Sequence, residues 1–100
     1  MNMMSNPVGQ NESGLEIFID NTLEIHSAVS IAVTHELRLT AVEGKRARLK
    51  KALSLIDQLD FLLGSPVKIK NDYPKLQREL FQLLESLRIP VPQPVVYQGN

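Results

Sequence analysis

An apolar stripe at helical spacing constrains the fold of this chain more than any other feature. Apolar side chains recur every three or four residues near the C-terminus: Tyr73, Leu76, Leu80, Leu83 and Leu87. This spacing places them along one face of a helix. Asp72 and Pro74 are typical of a helix start, and Pro90 ends it. The sequence therefore predicts an amphipathic helix over residues 73–88.

A wider apolar stripe precedes it and predicts a second helix over residues 45–63. Its members are Leu49, Ala52, Leu53, Leu55, Ile56, Leu59, Leu62 and Leu63. A stripe this wide indicates burial against two neighbours. If the chain itself supplies only one neighbour, a partner must cover the rest. Leu55 and Leu62, which widen the stripe, are therefore candidate partner contacts.

The connection between these two helices is predicted to be a loop over residues 64–72. Gly64 followed closely by Pro66 is typical of a helix end. Within the loop, Val67-Lys68-Ile69-Lys70 alternates apolar and basic side chains, a pattern that could form a short strand.

The first structured segment, residues 13–43, allows two interpretations. Ser13 and Glu16 match a capping box, which indicates a helix start. Against this, seven of the nine odd positions from 25 to 41 are apolar, which is the period of a strand. A strand of roughly 17 residues would be about three times the usual length. We therefore predict a helix over residues 14–43 and keep strands as the alternative.

The favoured fold is an all-α three-helix bundle, with helices near 14–43, 45–63 and 73–88. The alternative is an α+β fold in which antiparallel strands from residues 15–42 pack on the two C-terminal helices. Residues 1–12 are predicted to be a flexible arm and residues 13–89 a single domain. Prolines alternate in the tail, residues 90–100, so we expect it to be extended and to dock on its own fold.

Signatures of catalysis and metal binding are missing from the sequence. There is no cysteine, and the five glycines are too scattered to form a phosphate loop. His35-Glu36 begins like a zinc-protease motif, but Leu39 stands where the second histidine would be needed. His26 is expected to be a partly buried or surface side chain. We therefore expect a protein that is not an enzyme and that holds no cofactor and no metal.

Charge is the one local anomaly. The chain has 11 basic and 11 acidic residues, yet residues 38–51 contain six basic side chains and one acidic. The basic members at the start of the second helix are Lys45, Arg46, Arg48, Lys50 and Lys51. Positive charge there opposes the helix dipole. Either the helix runs on through Gly44, or the cluster is kept for an anionic partner such as nucleic acid.

The leading functional hypothesis is a small interaction module, either an adaptor, an assembly factor or a regulatory subunit. It would bind a protein partner or a second copy through apolar helix faces, with Tyr97 in the tail as a further candidate contact. The alternative is a nucleic-acid-binding regulator using residues 45–51. We expect no small-molecule substrate. We also expect no membrane partner, because no apolar run approaches 18 residues. The absence of cysteine and of a secretory signal favours a cytoplasmic protein.

Overall fold

Residues 7–92 form four helices. The computed structural model describes the backbone of residues 7–92 and the side chains of residues 14–92. In chain order the helices are α1 (Pro7–Leu39), α2 (Glu43–Leu62), α3 (Pro66–Asn71) and α4 (Tyr73–Ser86). Residues 7–92 contain no strand. The all-α prediction is confirmed, and the α+β alternative is wrong.

Helix α1 differs from its prediction at both ends. It begins at Pro7 and not at the capping box of Ser13. Residues 7–12 thus belong to α1 and not to a flexible arm, whereas residues 1–6 lie outside the described part of the chain. At the other end, α1 stops at Leu39, four residues earlier than predicted.

Helix α2 is the centre of the bundle, and it packs against α1 on one side and α4 on the other. Its buried side chains are Leu49, Ala52, Leu55, Ile56, Leu59 and Leu62. Each fully buried leucine contributes about 1.5–3 kcal/mol relative to exposure. The wide apolar stripe is therefore explained by two neighbours within the same chain.

Helices α1 and α2 run antiparallel. Arg46, near the start of α2, contacts the end of α1 at Leu37, and Asp60, near the end of α2, contacts His26. The part of α1 before about Thr22 therefore extends past the last turn of α2. Val29 and Val33 are buried, whereas Leu15 and Phe18, on the same helical face, are 41% and 40% exposed.

Helix α3 corrects the predicted loop and short strand. Ser65 has an extended backbone, and its carbonyl accepts the first helical hydrogen bond from the Ile69 N–H at 3.0 Å. Pro66 stands in the first turn, where proline is favoured. A four-residue alternation of apolar and polar side chains fits a short strand and one helical turn equally well. Pro66, in the first turn, favours the helix.

The chain reverses direction sharply after α4. Arg88 has φ 61°, the Ile89 N–H donates to the Leu84 carbonyl at 2.9 Å, and the Arg88 N–H donates to the Glu85 carbonyl at 3.0 Å. These bonds form a Schellman motif, with arginine in the position that glycine usually takes. Ile89 is buried and Val91 packs against the core, so residues 89–91 dock on the fold as predicted. Residues 93–100, the rest of the tail, lie outside the described residues.

Candidate functional site

An exposed aromatic side chain marks the last turn of α2. Phe61 is 78% exposed, more than any other large apolar side chain for which burial is described. It lies two residues from the fully buried Leu59, about 200° around the helix, and therefore points away from the core. The same turn thus carries one side chain at the centre of the core and one in solvent.

Phe61 flanks a groove of about 570 Å³ between α2, α3 and α4. We call this the Phe61 groove. Its lining residues are Asp57, Gln58, Phe61, Leu62, Lys68, Asp72, Lys75 and Leu76. Apolar side chains from α2 and α4 form its floor, and polar side chains surround them. A ring of polar groups around an apolar centre is the usual anatomy of a protein interface.

The rim of the Phe61 groove carries two acidic and two basic side chains, namely Asp57, Asp72, Lys68 and Lys75. None of the four forms an ion pair with another side chain of residues 14–92; the ion pairs there join Lys45 to Glu36 and Lys51 to Glu79. All four residues are exposed. The rim therefore offers balanced charges of both signs to whatever enters the groove.

Three of the five residues of the predicted basic cluster, residues 45–51, form hydrogen bonds or ion pairs within the same chain. Arg46 Nη1 donates to the Leu37 carbonyl at 2.9 Å and to the Thr40 carbonyl at 3.2 Å. Lys45 lies 3.4 Å from Glu36, and Lys51 lies 3.4 Å from Glu79. Arg48 and Lys50 are exposed and form no ion pair with a side chain that the structure describes.

These contacts resolve the dipole conflict in a way that the sequence did not suggest. The first helix does not run on into the second: α2 includes Gly44 but begins at Glu43, and residues 40–42 separate it from α1, so the basic residues lie near a helix start. Instead Arg46 caps the end of α1, where free carbonyls and the helix dipole favour a cation. Glu43 places a favourable acid in the first turn of α2. The unfavourable interaction of the basic residues with the dipole of α2 is therefore offset by the hydrogen bonds of Arg46 to the end of α1.

The three apolar candidates have different outcomes. Leu55 is buried at 4% exposure in the core of the chain, so its surface is already covered. Leu62 is buried at 7% exposure and contributes to the floor of the Phe61 groove. Tyr97 lies outside the described residues.

A polar network links three helices; it is buried at His26 and Tyr73 and partly exposed at Asp60. His26 Nδ1 is bonded to the Asp60 carboxylate, and the Tyr73 hydroxyl lies 2.9 Å from His26 Nε2. If Nδ1–H donates to Asp60, the Tyr73 hydroxyl donates to Nε2. Burial raises the pKa of Tyr73 to about 12, the Asp60 carboxylate adds to the rise, and the Thr22 hydroxyl opposes it.

This network resembles a catalytic arrangement in composition but not in geometry. Both ring nitrogens of His26 are occupied, so neither is left to take a proton from a substrate or to bind a metal. His26 and Tyr73 are both buried, and the raised pKa of Tyr73 keeps its hydroxyl neutral. The arrangement is suited to fixing α1, α2 and α4 relative to one another.

Two further features of the described residues bear on the class of site. No group of three or more histidine, aspartate or glutamate side chains within them is placed to hold a metal ion. None of their helices combines the length and the apolarity that crossing a lipid bilayer requires.

Sequence reasoning missed Phe61, Asp60 and the His26 network. Phe61 was detectable, because a helical wheel of residues 45–63 sets it opposite Leu59. The network was not, because its members stand 34 and 47 residues apart and meet only once α1 and α4 have both packed on α2.

The chain has no recognisable relative in the comparisons with known proteins. No family model matches it, and no curated protein or solved structure shows significant similarity to it.

Proposed function

We propose that this chain is a non-enzymatic protein–protein interaction module, an adaptor, assembly factor or regulatory subunit, that binds through the Phe61 groove. The observation that carries the proposal is the 78% exposure of Phe61 beside an apolar groove of about 570 Å³. Removing apolar surface such as this ring from water stabilises a complex by about 25 cal/mol for each Å² buried. Interface hot spots are enriched in aromatic side chains, seated in pockets and surrounded by polar groups.

Nucleic-acid binding through residues 45–51 receives less support. Arg46 caps α1, and Lys45 and Lys51 have acidic neighbours, which leaves Arg48 and Lys50 as the exposed cations without such a partner among the described residues. Two cations would give a small salt dependence, since each phosphate neutralised contributes about 0.9 to the slope. The lack of cysteine supports a reducing cytoplasmic setting for the proposed function.

Site-specific photocrosslinking in the native cell tests this proposal. A benzophenone amino acid is placed at Gln58, which is exposed and lines the groove, or at Lys50, which is exposed towards the other end of α2. The proposal predicts a discrete protein adduct from position 58 and none from position 50. Adding Phe61→Ser to the position-58 protein removes that adduct.

The matched control for Phe61→Ser is Phe81→Ser, because Phe81 is an exposed phenylalanine on α4 that does not line the Phe61 groove. The position-58 adduct is expected to survive the control substitution. An adduct that forms only from position 50, or one from position 58 that Phe61→Ser leaves unchanged, would contradict the proposal.

A further inference from the structure

We infer that the Phe61 groove is occupied by the same groove of a second copy of this chain, in a dimer with two-fold symmetry. This inference rests on the proposed function and names its partner. A two-fold interface uses one surface patch twice, so the patch must be complementary to itself. Two observations on the Phe61 groove, one of shape and one of charge, support this self-complementarity.

The shape argument is that a projecting group and a depression lie side by side. Phe61 projects into solvent from the last turn of α2, and the depression beside it is floored by Leu62 and Leu76. A depression of about 570 Å³ lies within the range that accepts a ligand larger than one phenyl ring. In a two-fold pair, each Phe61 can therefore enter the depression of the other copy.

The charge argument is that the rim is balanced. Asp57 and Asp72 supply two negative charges, and Lys68 and Lys75 supply two positive charges, with no ion pair to another described side chain. A rim of one sign would repel its own copy. A rim with equal numbers of both signs can place acids of one copy against bases of the other.

The two contributions have different roles. Exposed ion pairs each add little affinity, so the rim chiefly decides which partner fits. Burial of Phe61 supplies the larger share of the binding free energy, as aromatic anchors do in other interfaces. The two parts can therefore be tested separately.

Sedimentation velocity of the purified full chain over a concentration series tests the anchor. The wild-type protein is expected to sediment as a dimer that dissociates on dilution. Phe61→Ser is expected to raise the dissociation constant by about 30-fold or more, the size of a hot-spot loss. The control Phe81→Ser is expected to stay within about threefold of wild type, and far-UV circular dichroism of each variant verifies that the helices are retained.

A charge exchange tests self-complementarity. One variant carries Asp57→Lys and Asp72→Lys, which makes the rim wholly basic. The other carries Lys68→Glu and Lys75→Glu, which makes it wholly acidic. Each variant alone is expected to dimerise at least tenfold more weakly than wild type, and an equimolar mixture is expected to form a heterodimer.

The inference is overturned if the folded wild-type protein sediments as a monomer up to about millimolar concentration, the upper end of weak association. It is also overturned if Phe61→Ser leaves a dimer unchanged, or if the mixture of charge variants fails to pair. These results are separable from failure of the proposed function. Monomeric sedimentation together with a Phe61-dependent adduct to a different protein would preserve the interaction module while excluding the dimer.

Discussion

The two ends of α2 differ in how their conspicuous side chains are used. At the N-terminal end, the basic residues stand out in sequence, yet Arg46, Lys45 and Lys51 contact groups of the same chain. At the C-terminal end, Phe61 is an ordinary member of an apolar run, yet it is left 78% exposed beside a groove.

This difference shows that an unusual sequence pattern, such as a charge cluster, does not predict which side chains remain free to bind a partner in the folded protein. A charge cluster draws attention because it departs from the average composition. Within a bundle, however, a cation near a helix end finds carbonyls and carboxylates on the neighbouring helix. An apolar side chain in an amphipathic helix draws no attention, and its exposure depends on which neighbours cover it.

The buried face of α2 is expected to be equally well packed at both ends of the helix. Substitutions in this core are predicted to have the largest effect on the free energy of unfolding. Leu49 lies towards the N-terminal end and Leu59 towards the C-terminal end, and both are fully buried. Leu49→Ala and Leu59→Ala should each lower the free energy of unfolding by about 2–5 kcal/mol, from lost burial and an added cavity. Urea denaturation measures both. A cost below about 1 kcal/mol at either end would show that this end is not packed as described.

The next largest effect is a loss of stability at alkaline pH, and it arises from Tyr73, which is linked through His26 to Asp60 near the C-terminal end of α2. The raised pKa of Tyr73, about 12, means that the folded state holds this proton more tightly than the unfolded state does. Stability from Tyr73 is therefore complete below about pH 10 and is lost as pH rises to about 12, by up to roughly 3 kcal/mol.

Tyr73→Phe is the control for this dependence. The variant should be less stable at neutral pH by about 1–3 kcal/mol, because His26 Nε2 loses its partner. It should also lose less stability than wild type between pH 10 and pH 12 in denaturation experiments. Parallel pH profiles of the two proteins would refute the role given to Tyr73.

At the N-terminal end, Arg46 is expected to matter for stability rather than for binding. Arg46→Ala removes two hydrogen bonds to carbonyls at the end of α1 and should cost about 1–2 kcal/mol. Thermal unfolding followed by circular dichroism measures the change. Arg48→Ala is the matched control, and an equal cost from both substitutions would exclude the capping role.

The smallest effect is expected for the exposed ion pair of Lys51 and Glu79. The Lys51 and Glu79 side chains are 60% and 45% exposed and 3.4 Å apart, so Lys51→Ala should change the free energy of unfolding by less than about 0.5 kcal/mol. Chemical denaturation at low and high salt measures it. A cost above 1 kcal/mol would mean that the basic end of α2 contributes more to stability than its exposure suggests.

The helices themselves were largely predictable, because local spacing and helix-stop residues determine them. The stripe from Tyr73 to Leu87 and the stop at Gly64 led to α4 and α2 within a few residues. The start of α1 was not found, since the capping-box match at Ser13 was a local coincidence inside a longer helix. Four alternating residues after Pro66 were too few to separate a strand from a helical turn.

The candidate site was much less predictable, because it depends on contacts between distant segments. The Phe61 groove exists only where α3 and α4 fold back beside the end of α2. The bond between His26 and Asp60 likewise requires α1 and α2 to lie antiparallel in one register. Sequence spacing describes faces of single helices, whereas these features belong to pairs of helices.

The central claim is that the apolar end of α2, and not its basic end, carries the interaction. Size-exclusion chromatography of the tagged protein from its native cell in 1 M salt tests it most directly, using Phe61→Ser and the double variant Arg48→Glu, Lys50→Glu. The account predicts that wild type and the double variant elute as a complex and that Phe61→Ser elutes at the mass of the monomer. Elution of Phe61→Ser with the complex, together with loss of the complex in the double variant, would contradict it.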